Sequence, residues 1–265
     1  MIYIDDQIKN KVNSLNHDKL YVVADFDRTI TVNSSDNSWG ILEKSNFVCE
    51  EYTKESEKLY NYYYPIEFDF SMDPVIKDKL MYEWWSSVIS LFVKYGLREE
   101  VVNNATSNIS VMQFRDGGKQ FLESMYEKNI PVIIISAGIG NFIEQFLKYN
   151  NCLFENIYII SNFIKFKDGV AVGIGNDIIH SQNKNIVSLS PDIINKVIDR
   201  KDILLLGDNL ADVKMVSQDK RDKTIRIGFL DSDIEKNMED FKKKFDVVCT
   251  DNKSFHDLSK VLSRK

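Results

Sequence analysis

The chain has 265 residues with 34 lysines and arginines against 40 aspartates and glutamates, which gives a formal net charge of −6. Such a mildly acidic surface does not attract a polyphosphate backbone, so nucleic acid polymers are poor candidate partners. The three cysteines and three histidines are scattered and match neither a zinc site nor a disulfide framework. Because there is no signal-peptide pattern and no apolar run of roughly 18 residues, we expect a cytoplasmic protein without membrane contact.

The first predicted strand covers residues 20–23, and two aspartates follow it directly. Asp25 and Asp27 are two positions apart, so at strand spacing their side chains point to the same side. Two carboxylates held that close repel each other unless a cation neutralises them. A hard divalent ion such as Mg²⁺ prefers oxygen ligands and suits this arrangement. The alternative is an ordinary turn, in which aspartate is common.

The next segment, residues 32–112, is predicted to be a helical insertion because it contains no convincing buried strand. Asp73 and Pro74 form a good helix start, and Gly96 is placed to end that helix. Residues 97–112 also have a helical pattern. The apolar side chains expected to share one face of the helix after Pro74 are Ile76, Leu80, Trp84, Val88 and Tyr95.

From residue 113 onward, apolar strands alternate with helices. Strands are predicted at 131–135, 157–160, 203–206, 224–229 and 246–249, and a hairpin at 163–179 turns at 167–169. Helices are predicted at 117–128, at 141–149, from 190 onward and at 256–262. Continuous apolar strands separated by helices indicate a parallel sheet covered on both faces. The predicted fold is therefore a doubly wound α/β core of residues 1–31 and 113–265, interrupted by the helical insertion.

Polar residues follow three of the predicted strands at their carboxyl ends. Asp25, Ser136 and Asp208 are far apart in sequence, yet ligands of doubly wound sheets bind at this edge. Asp212 lies four positions after Asp208, which predicts that both share a face at the start of a helix. Lys184 is a candidate cation between the strands of Ser136 and Asp208. Taken singly, these residues also fit an ordinary turn, a helix cap and a solvated loop charge.

The order of these motifs resembles that of the haloacid-dehalogenase superfamily. The set consists of Asp-Phe-Asp-Arg-Thr-Ile-Thr at 25–31, Ser136, Lys184 and Gly-Asp-Asn-Leu-Ala-Asp at 207–212. Within the superfamily the chain is similar to the type III cytosolic pyrimidine 5′-nucleotidases, through segments at 63–69, 83–84, 130–140, 161–163, 180–184, 205–208 and 227–230. It departs from them at Arg28, where they usually carry methionine, at the shorter segment 33–39, which lacks their Cys-His-Asn, and at Val88, where serine is expected.

The resemblance implies a mechanism for three of these residues. Asp25 would attack the phosphorus and form an aspartyl-phosphate, which splits one hard displacement into two easier steps. Asp27 would protonate the leaving oxygen and then activate water. Because dehalogenases lack the second aspartate and transport ATPases carry threonine there, Asp27 favours a phosphatase or phosphomutase. Lys184 would add positive charge in the transition state and bind the substrate phosphate.

The resemblance also implies a binding site around these residues. Mg²⁺ would be held by Asp25, the main-chain carbonyl of Asp27 and Asp208, with Asp212 as a more distant partner. The insertion would be a helical cap that closes over the site. Substrate contacts would come from Ser136, Ala137 and Gly138 at the phosphate, and from Glu67 at the amino group of a base. Glu67 could equally be a surface carboxylate, and the aromatic residues that could stack a base could equally be core: Trp39, Tyr62, Tyr63, Tyr64, Trp84 and Trp85.

The resemblance therefore implies a Mg²⁺-dependent phosphomonoester hydrolase that acts on pyrimidine nucleoside 5′-monophosphates. A phosphatase or phosphomutase for a non-nucleotide metabolite, such as a sugar phosphate, is the alternative among enzymes. A phospho-accepting signalling module would also combine aspartates, a hydroxyl group and a lysine around Mg²⁺, but such modules are about half as long and lack a cap. A catalytically idle binding protein would not need the intact motif set.

Overall fold

The structure is a computed structural model. It describes residues 2–4, 8, 11–12, 15–43, 49–67, 69, 71–105, 112–175, 177–186, 189–251 and 255–256. None of the helices in these ranges has the length and apolarity to cross a membrane.

A seven-stranded sheet forms the centre of the described chain. The described residues form nine strands in all, of which seven belong to this sheet. They are β1 (Ile2–Ile4), β2 (Leu20–Ala24), β3 (Val132–Ile139), β4 (Ile157–Asn162), β5 (Ile164–Lys167), β6 (Val170–Ile174), β7 (Asp202–Gly207), β8 (Thr224–Phe229) and β9 (Val247–Cys249). The sheet has the order β1-β9-β8-β7-β2-β3-β4, and β5 and β6 form a separate hairpin. All neighbours in the sheet are parallel except the β1–β9 pair. The doubly wound parallel sheet and the hairpin predicted from the sequence are thereby confirmed.

Eight α-helices accompany the strands within the described ranges. They are α1 (Gly40–Glu43), α2 (Glu50–Glu67), α3 (Pro74–Lys94), α4 (Glu99–Ala105), α5 (Gly118–Glu127), α6 (Gly140–Tyr149), α7 (Pro191–Val197) and α8 (Ile234–Lys244). The first four lie in the predicted insertion, whose described residues contain no strand. The predicted helix start is confirmed, since the Asp73 carboxylate accepts the N–H groups of Val75 and Ile76.

The central strands are apolar throughout because both faces of the sheet are covered. In β2, Val22 and Ala24 pack into the large core cluster on one face. The alternating residues Tyr21 and Val23 pack into a second cluster on the opposite face, together with Ile133 of β3. Successive side chains of a strand point to opposite faces, so a strand buried on both sides needs an unbroken apolar run.

Residues 30–32, just after β2, pair with residues 113–115, just before α5. Thr31 and Phe114 form an isolated antiparallel bridge. Next to it, the Val32 N–H donates to the Gln113 carbonyl over 3.0 Å, and the Arg115 N–H donates to the Ile30 carbonyl over 2.9 Å. The two ends of the segment between residues 32 and 112 are therefore tied together beside the end of β2.

The buried face of α3 differs from the predicted one. Its buried residues include Lys77, Met81, Trp85, Ile89 and Phe92, whereas Ile76 is exposed and Trp84 and Val88 are half-buried. The predicted face is therefore only partly buried, although Val88 and Tyr95 on it pack against the large core cluster. The two faces of α3 are not sharply separated, because the buried Trp85 lines the same cavity as Trp84 and Val88.

Several element boundaries also differ. In the predicted helical stretch 97–112, α4 covers only Glu99–Ala105, and residues 106–111 lie outside the described ranges. The predicted closing helix at 256–262 lies almost wholly outside them. Neither β1 nor α8 was predicted: β1 is only three residues long, and the strongly charged sequence of α8 hides its few apolar positions.

Candidate active site

A cavity of about 620 Å³ opens at the carboxyl ends of β2, β3 and β7, with α2 and α3 on its other side. All the site residues predicted from the sequence line this cavity. They are Asp25, Asp27, Glu67, Ser136, Ala137, Gly138, Lys184, Asp208 and Asp212. Residues as far apart in sequence as Asp25 and Asp212 are brought together because parallel strands end at one edge of the sheet.

A buried ion-pair network lies at the base of the cavity. Lys184 Nζ donates to Asp25 Oδ1 over 2.6 Å and to Asp212 Oδ1 over 2.8 Å, and all three residues are buried. Burial alone lowers the pKa of the Lys184 ammonium, but the attraction of Asp212 and Asp25 outweighs burial and raises that pKa. Lys184 is therefore a permanent cation beside the carboxylate of Asp25.

An acidic cluster adjoins this network. Asp25, Asp208 and Asp212 each offer a carboxylate oxygen within 4.8 Å of the others. Burial raises the pKa of Asp208 and of Asp212, and the negative charge of Asp25 adds to the effect on both. A divalent cation would relieve this repulsion, and an all-oxygen donor set fits a hard ion such as Mg²⁺.

Asp212 is oriented by the protein on both of its carboxylate oxygens. Oδ1 accepts from Lys184, and Oδ2 accepts the N–H groups of Asp208 over 3.2 Å and Asn209 over 3.0 Å. The prediction that Asp208 and Asp212 share a helical face was wrong. A short 3-10 helix begins only at Asp212, and Asp208 lies in the loop that this carboxylate holds.

The Asp27 side chain is bound by Ser38, which the sequence analysis did not identify. Ser38 donates its N–H to Asp27 Oδ1 over 3.0 Å and its hydroxyl to Asp27 Oδ2 over 2.7 Å. Burial raises the pKa of Asp27 to about 6; the Ser38 hydrogen bonds oppose this rise and the charge of Asp25 adds to it. A carboxyl group that titrates near neutrality can both give and take a proton.

Residues 136–138 lie in an irregular continuation of β3, not in the turn expected from the sequence. The Ala137 carbonyl accepts hydrogen bonds from the indole N–H groups of Trp39, over 3.3 Å, and Trp85, over 2.7 Å. Both tryptophans belong to the segment between residues 32 and 112. The segment between residues 32 and 112 is thus bonded to β3 at the predicted phosphate-binding residues.

Glu67 ends α2 and faces the same cavity as a half-buried residue. Burial raises the pKa of its carboxyl group, although a hydrogen bond with the Ser181 side chain and the positive charges of Arg28 and Lys184 act in the opposite direction. Arg28 also lines the cavity and has a φ of 62°, a left-handed conformation that is uncommon for residues other than glycine.

Aromatic rings form much of the cavity wall. Of the six predicted stacking residues, Trp39, Tyr64, Trp84 and Trp85 line it, whereas Tyr62 and Tyr63 do not. Tyr60 and Tyr52 line it as well, and neither was predicted. The Tyr60 and Tyr64 rings are stacked with their centroids 4.6 Å apart. A periodic pattern of aromatic residues does not tell which of them face a cavity, and the fold decides that.

Comparisons with known proteins agree on one family. Residues 27–264 match the model of the pyrimidine 5′-nucleotidase (UMPH-1) family. The 7-methylguanosine phosphate-specific 5′-nucleotidase A of Xenopus laevis is 32% identical over 239 residues, which cover 87% of this chain and 82% of that protein. The human 7-methylguanosine phosphate-specific 5′-nucleotidase is 31% identical over 241 residues, covering 87% and 79%.

Solved structures give the same result. Cytosolic 5′-nucleotidase IIIB bound to cytidine superposes with a TM-score of 0.86 at 28% identity and covers 98% of this chain and 92% of its own. A substrate-bound phosphoserine phosphatase has a TM-score of 0.57 at 16% identity, covering 91% and 97%, and shares the fold. The chain is therefore a member of the pyrimidine 5′-nucleotidase family.

Proposed function

We propose that the protein is a Mg²⁺-dependent 5′-nucleotidase that hydrolyses nucleoside monophosphates through an aspartyl-phosphate at Asp25. The observation that supports this most is the contact of Lys184 with Asp25 beside the acidic cluster, within a cavity that also holds Asp27. The ion pair fixes one oxygen of the Asp25 carboxylate. The other oxygen can then attack a phosphorus atom.

The remaining groups have complementary roles in this proposal. Asp27 protonates the leaving 5′ oxygen and later takes a proton from the hydrolytic water, as its pKa of about 6 allows. Ser136 and Lys184 bind phosphate oxygens. Asp25, the main-chain carbonyl of Asp27 and Asp208 would hold Mg²⁺, which offsets charge on the transferring phosphoryl group when bound.

The insertion acts as the cap in this account. We assign residues 1–31 and 113–265 to the catalytic core and residues 32–112 to the cap. The paired stems at Thr31 and Phe114 and the bonds of Trp39 and Trp85 to Ala137 support that division. A cap seated on the phosphate segment excludes water from the phosphoryl group during transfer.

For the leaving group we propose a pyrimidine nucleoside, whose base edge is recognised by Glu67. The pyrimidine family model, the cytidine in the structure of the similar nucleotidase and the carboxylate in the cavity support this. A second candidate is 7-methylguanosine monophosphate, the substrate in the names of several relatives. The aromatic wall and the cavity-lining Asp36 and Glu57 favour it, because aromatic faces and carboxylates attract a positively charged base.

We also propose a cytoplasmic location. A relative from Caenorhabditis elegans is named a putative cytosolic 5′-nucleotidase, and the described helices include none that could span a membrane.

The test is phosphate release with Mg²⁺ from CMP, UMP, 7-methylguanosine monophosphate, AMP, a sugar phosphate, phosphoserine and an aryl phosphate. Preference for CMP and UMP supports the pyrimidine assignment, and preference for 7-methylguanosine monophosphate supports the second candidate. Equal rates on all compounds would reject a base-reading cavity. A stable phosphoprotein without turnover would favour a signalling module over an enzyme.

A further inference from the structure

A buried arginine outside the predicted motif set contacts the loop that carries Asp27. Arg115 lies directly after the return of the insertion to the core, and its side chain is fully buried. Its guanidinium group donates from Nε to the Thr29 carbonyl over 3.1 Å and from Nη2 to the Arg28 carbonyl. Arg115 therefore holds two successive carbonyls of the loop after β2.

The same guanidinium group is fixed from the other side. It forms a bidentate pair with Asp231, over 3.1 Å from Nη1 and 2.6 Å from Nη2, and Nη1 also lies 3.5 Å from the Asp251 carbonyl. The guanidinium carbon lies 4.4 Å from the centroid of the Phe229 ring. A guanidinium group has five N–H donors, and the structure provides an acceptor for each. A group bonded in this way has one orientation.

The loop needs such a restraint because of its backbone. Arg28 has the left-handed φ of 62°, which residues with a side chain adopt only where the surroundings hold them. The φ angle of Arg28 sets how the preceding peptide group, which contains the Asp27 carbonyl, is oriented. The orientation of that peptide group also affects where the Asp27 side chain lies. The Thr31 hydroxyl accepts the Arg28 N–H over 3.0 Å, which holds the loop at its other end.

We infer that Arg115 is a positioning residue of the active site, which fixes the loop of Asp27 against Asp231 and so sets the geometry of the metal-binding and proton-transfer groups. The inference rests on the proposed function of the cavity. It also connects the site to the insertion, because the Arg115 N–H donates to the Ile30 carbonyl beside the Thr31–Phe114 bridge.

The test compares Arg115→Lys with a matched control, Arg200→Lys. Arg200 holds the carbonyls of His17 and Leu20, over 3.2 and 2.8 Å, at the opposite end of the same strand. Lysine keeps the charge but loses the planar fork that binds several acceptors at once. We expect kcat of Arg115→Lys on the best phosphomonoester to fall about 10- to 100-fold with KM within about threefold, as for residues that orient metal ligands.

A second readout does not depend on turnover. Mn²⁺ binding to the substrate-free protein, followed by electron paramagnetic resonance, should weaken by about 10-fold or more in Arg115→Lys and stay unchanged in Arg200→Lys. If the wild-type protein releases no phosphate from any compound of the panel, the proposed function fails. The Mn²⁺ comparison still tests whether Arg115 positions the metal-binding groups.

Loss of folding is monitored by circular dichroism and the unfolding midpoint of each variant. If Arg115→Lys does not fold, Asp231→Asn replaces it, since the amide keeps the shape and removes the charge that anchors the guanidinium group. A folded variant that loses kcat and Mn²⁺ affinity together supports the inference. A folded Arg115→Lys or Asp231→Asn with kcat and Mn²⁺ affinity equal to those of Arg200→Lys would overturn it.

Discussion

The Ser38 hydroxyl donates to Asp27 Oδ2 over 2.7 Å while its oxygen accepts the Ile139 N–H over 3.1 Å. Ser38 therefore links the proposed acid–base residue to the strand that carries the phosphate segment. Because Ser38 belongs to the segment between residues 32 and 112 and Ile139 to β3, this single side chain connects the proposed cap to the sheet beside Asp27.

Replacing Ser38 by alanine should shift the pH profile. The Ser38 hydrogen bonds favour the ionised form of Asp27 and hold its pKa down, so loss of the hydroxyl raises that pKa. Since Asp27 must be protonated to assist the leaving group, activity is lost as pH rises through its pKa. The alkaline limb of kcat/KM should move to higher pH in Ser38→Ala, with kcat about 10-fold lower.

The control for this experiment is Ser90→Ala, which removes a hydroxyl bonded to a helix carbonyl on the exposed side of α3. Its pH profile should match that of the wild type. An alkaline limb that stays in place or moves to lower pH in Ser38→Ala would contradict the proposed role of Asp27.

The space around Gly138, next to Ser38 and Asp27, leaves no room for a side chain. A Cβ atom there would lie 2.0 Å from Ser38 Oγ and 2.9 Å from Asp27 Oδ2. Gly138→Ala should therefore separate Ser38 from Asp27 and lower kcat about 100-fold, with a loss of about 1–3 kcal/mol in the free energy of unfolding. The measurements are steady-state kinetics and urea unfolding.

Gly169→Ala is the matched control for Gly138→Ala. Gly169 has a φ of 75° in the hairpin turn, and a Cβ atom there meets nothing within 4 Å. That variant should lose stability through backbone strain and keep its kcat. Unchanged kcat in a folded Gly138→Ala variant would refute the close packing described here.

The sequence predicted the residues that lie at ends of strands and missed those placed by the fold alone. Asp25, Ser136 and Asp208 follow apolar runs, so one rule about parallel sheets was enough to bring them together. Ser38 and Arg115 have no such signal, because serine and arginine are both ordinary in the segments that connect helices and strands.

The helical predictions show the same limit. The start of α3 was predictable because Asp73 and Pro74 act locally, through hydrogen bonds to Val75 and Ile76. Its buried face was not, because Trp84 and Trp85 are equally apolar and only the neighbouring elements decide which of them packs. The four-residue spacing of Asp208 and Asp212 likewise misled, since a loop whose N–H groups donate to the Asp212 carboxylate has the same spacing as a helical turn.

Glu67 should select the leaving group. Its carboxylate lines the cavity, and Glu67→Gln keeps the shape while replacing one acceptor oxygen by a donor. We expect kcat/KM for CMP to fall about 10- to 100-fold in Glu67→Gln, because a base amino group would lose its partner. The rate on an aryl phosphate, which has no base, should be unchanged.

Glu83→Gln is the control for Glu67→Gln, since Glu83 lies on α3 outside the cavity lining and approaches Lys79 at 3.9 Å. The ratio of CMP to aryl phosphate activity should not change in this variant. If Glu67→Gln has the same ratio of CMP to aryl phosphate activity as the wild type, Glu67 does not recognise the base.

His180 should make the fold sensitive to acid. Burial lowers the pKa of His180 to about 4, and the Asp78 carboxylate, 3.6 Å away, opposes this only in part. Because the unfolded chain has the ordinary higher pKa, it binds more protons between these two values, and stability falls as pH falls through that window. The free energy of unfolding should drop by about 2 kcal/mol from this group between pH 7.5 and pH 5.

Urea unfolding of the wild type and of His180→Gln at both pH values measures this contribution. The carboxylates titrate in both proteins, so the difference between the two pH dependences isolates His180. Equal losses of stability in the two proteins would contradict the burial of a neutral imidazole.

The formation of an aspartyl-phosphate, an acyl phosphate, at Asp25 is the central claim, and trapping it is the most direct test. Wild-type protein is mixed with a labelled substrate and Mg²⁺ and quenched in acid, and Asp25→Asn and Asp25→Ser are treated in parallel. We expect label on the peptide that contains Asp25 in the wild type, and neither label nor phosphate release in the two variants. Phosphate release at the wild-type rate by both variants would contradict the mechanism.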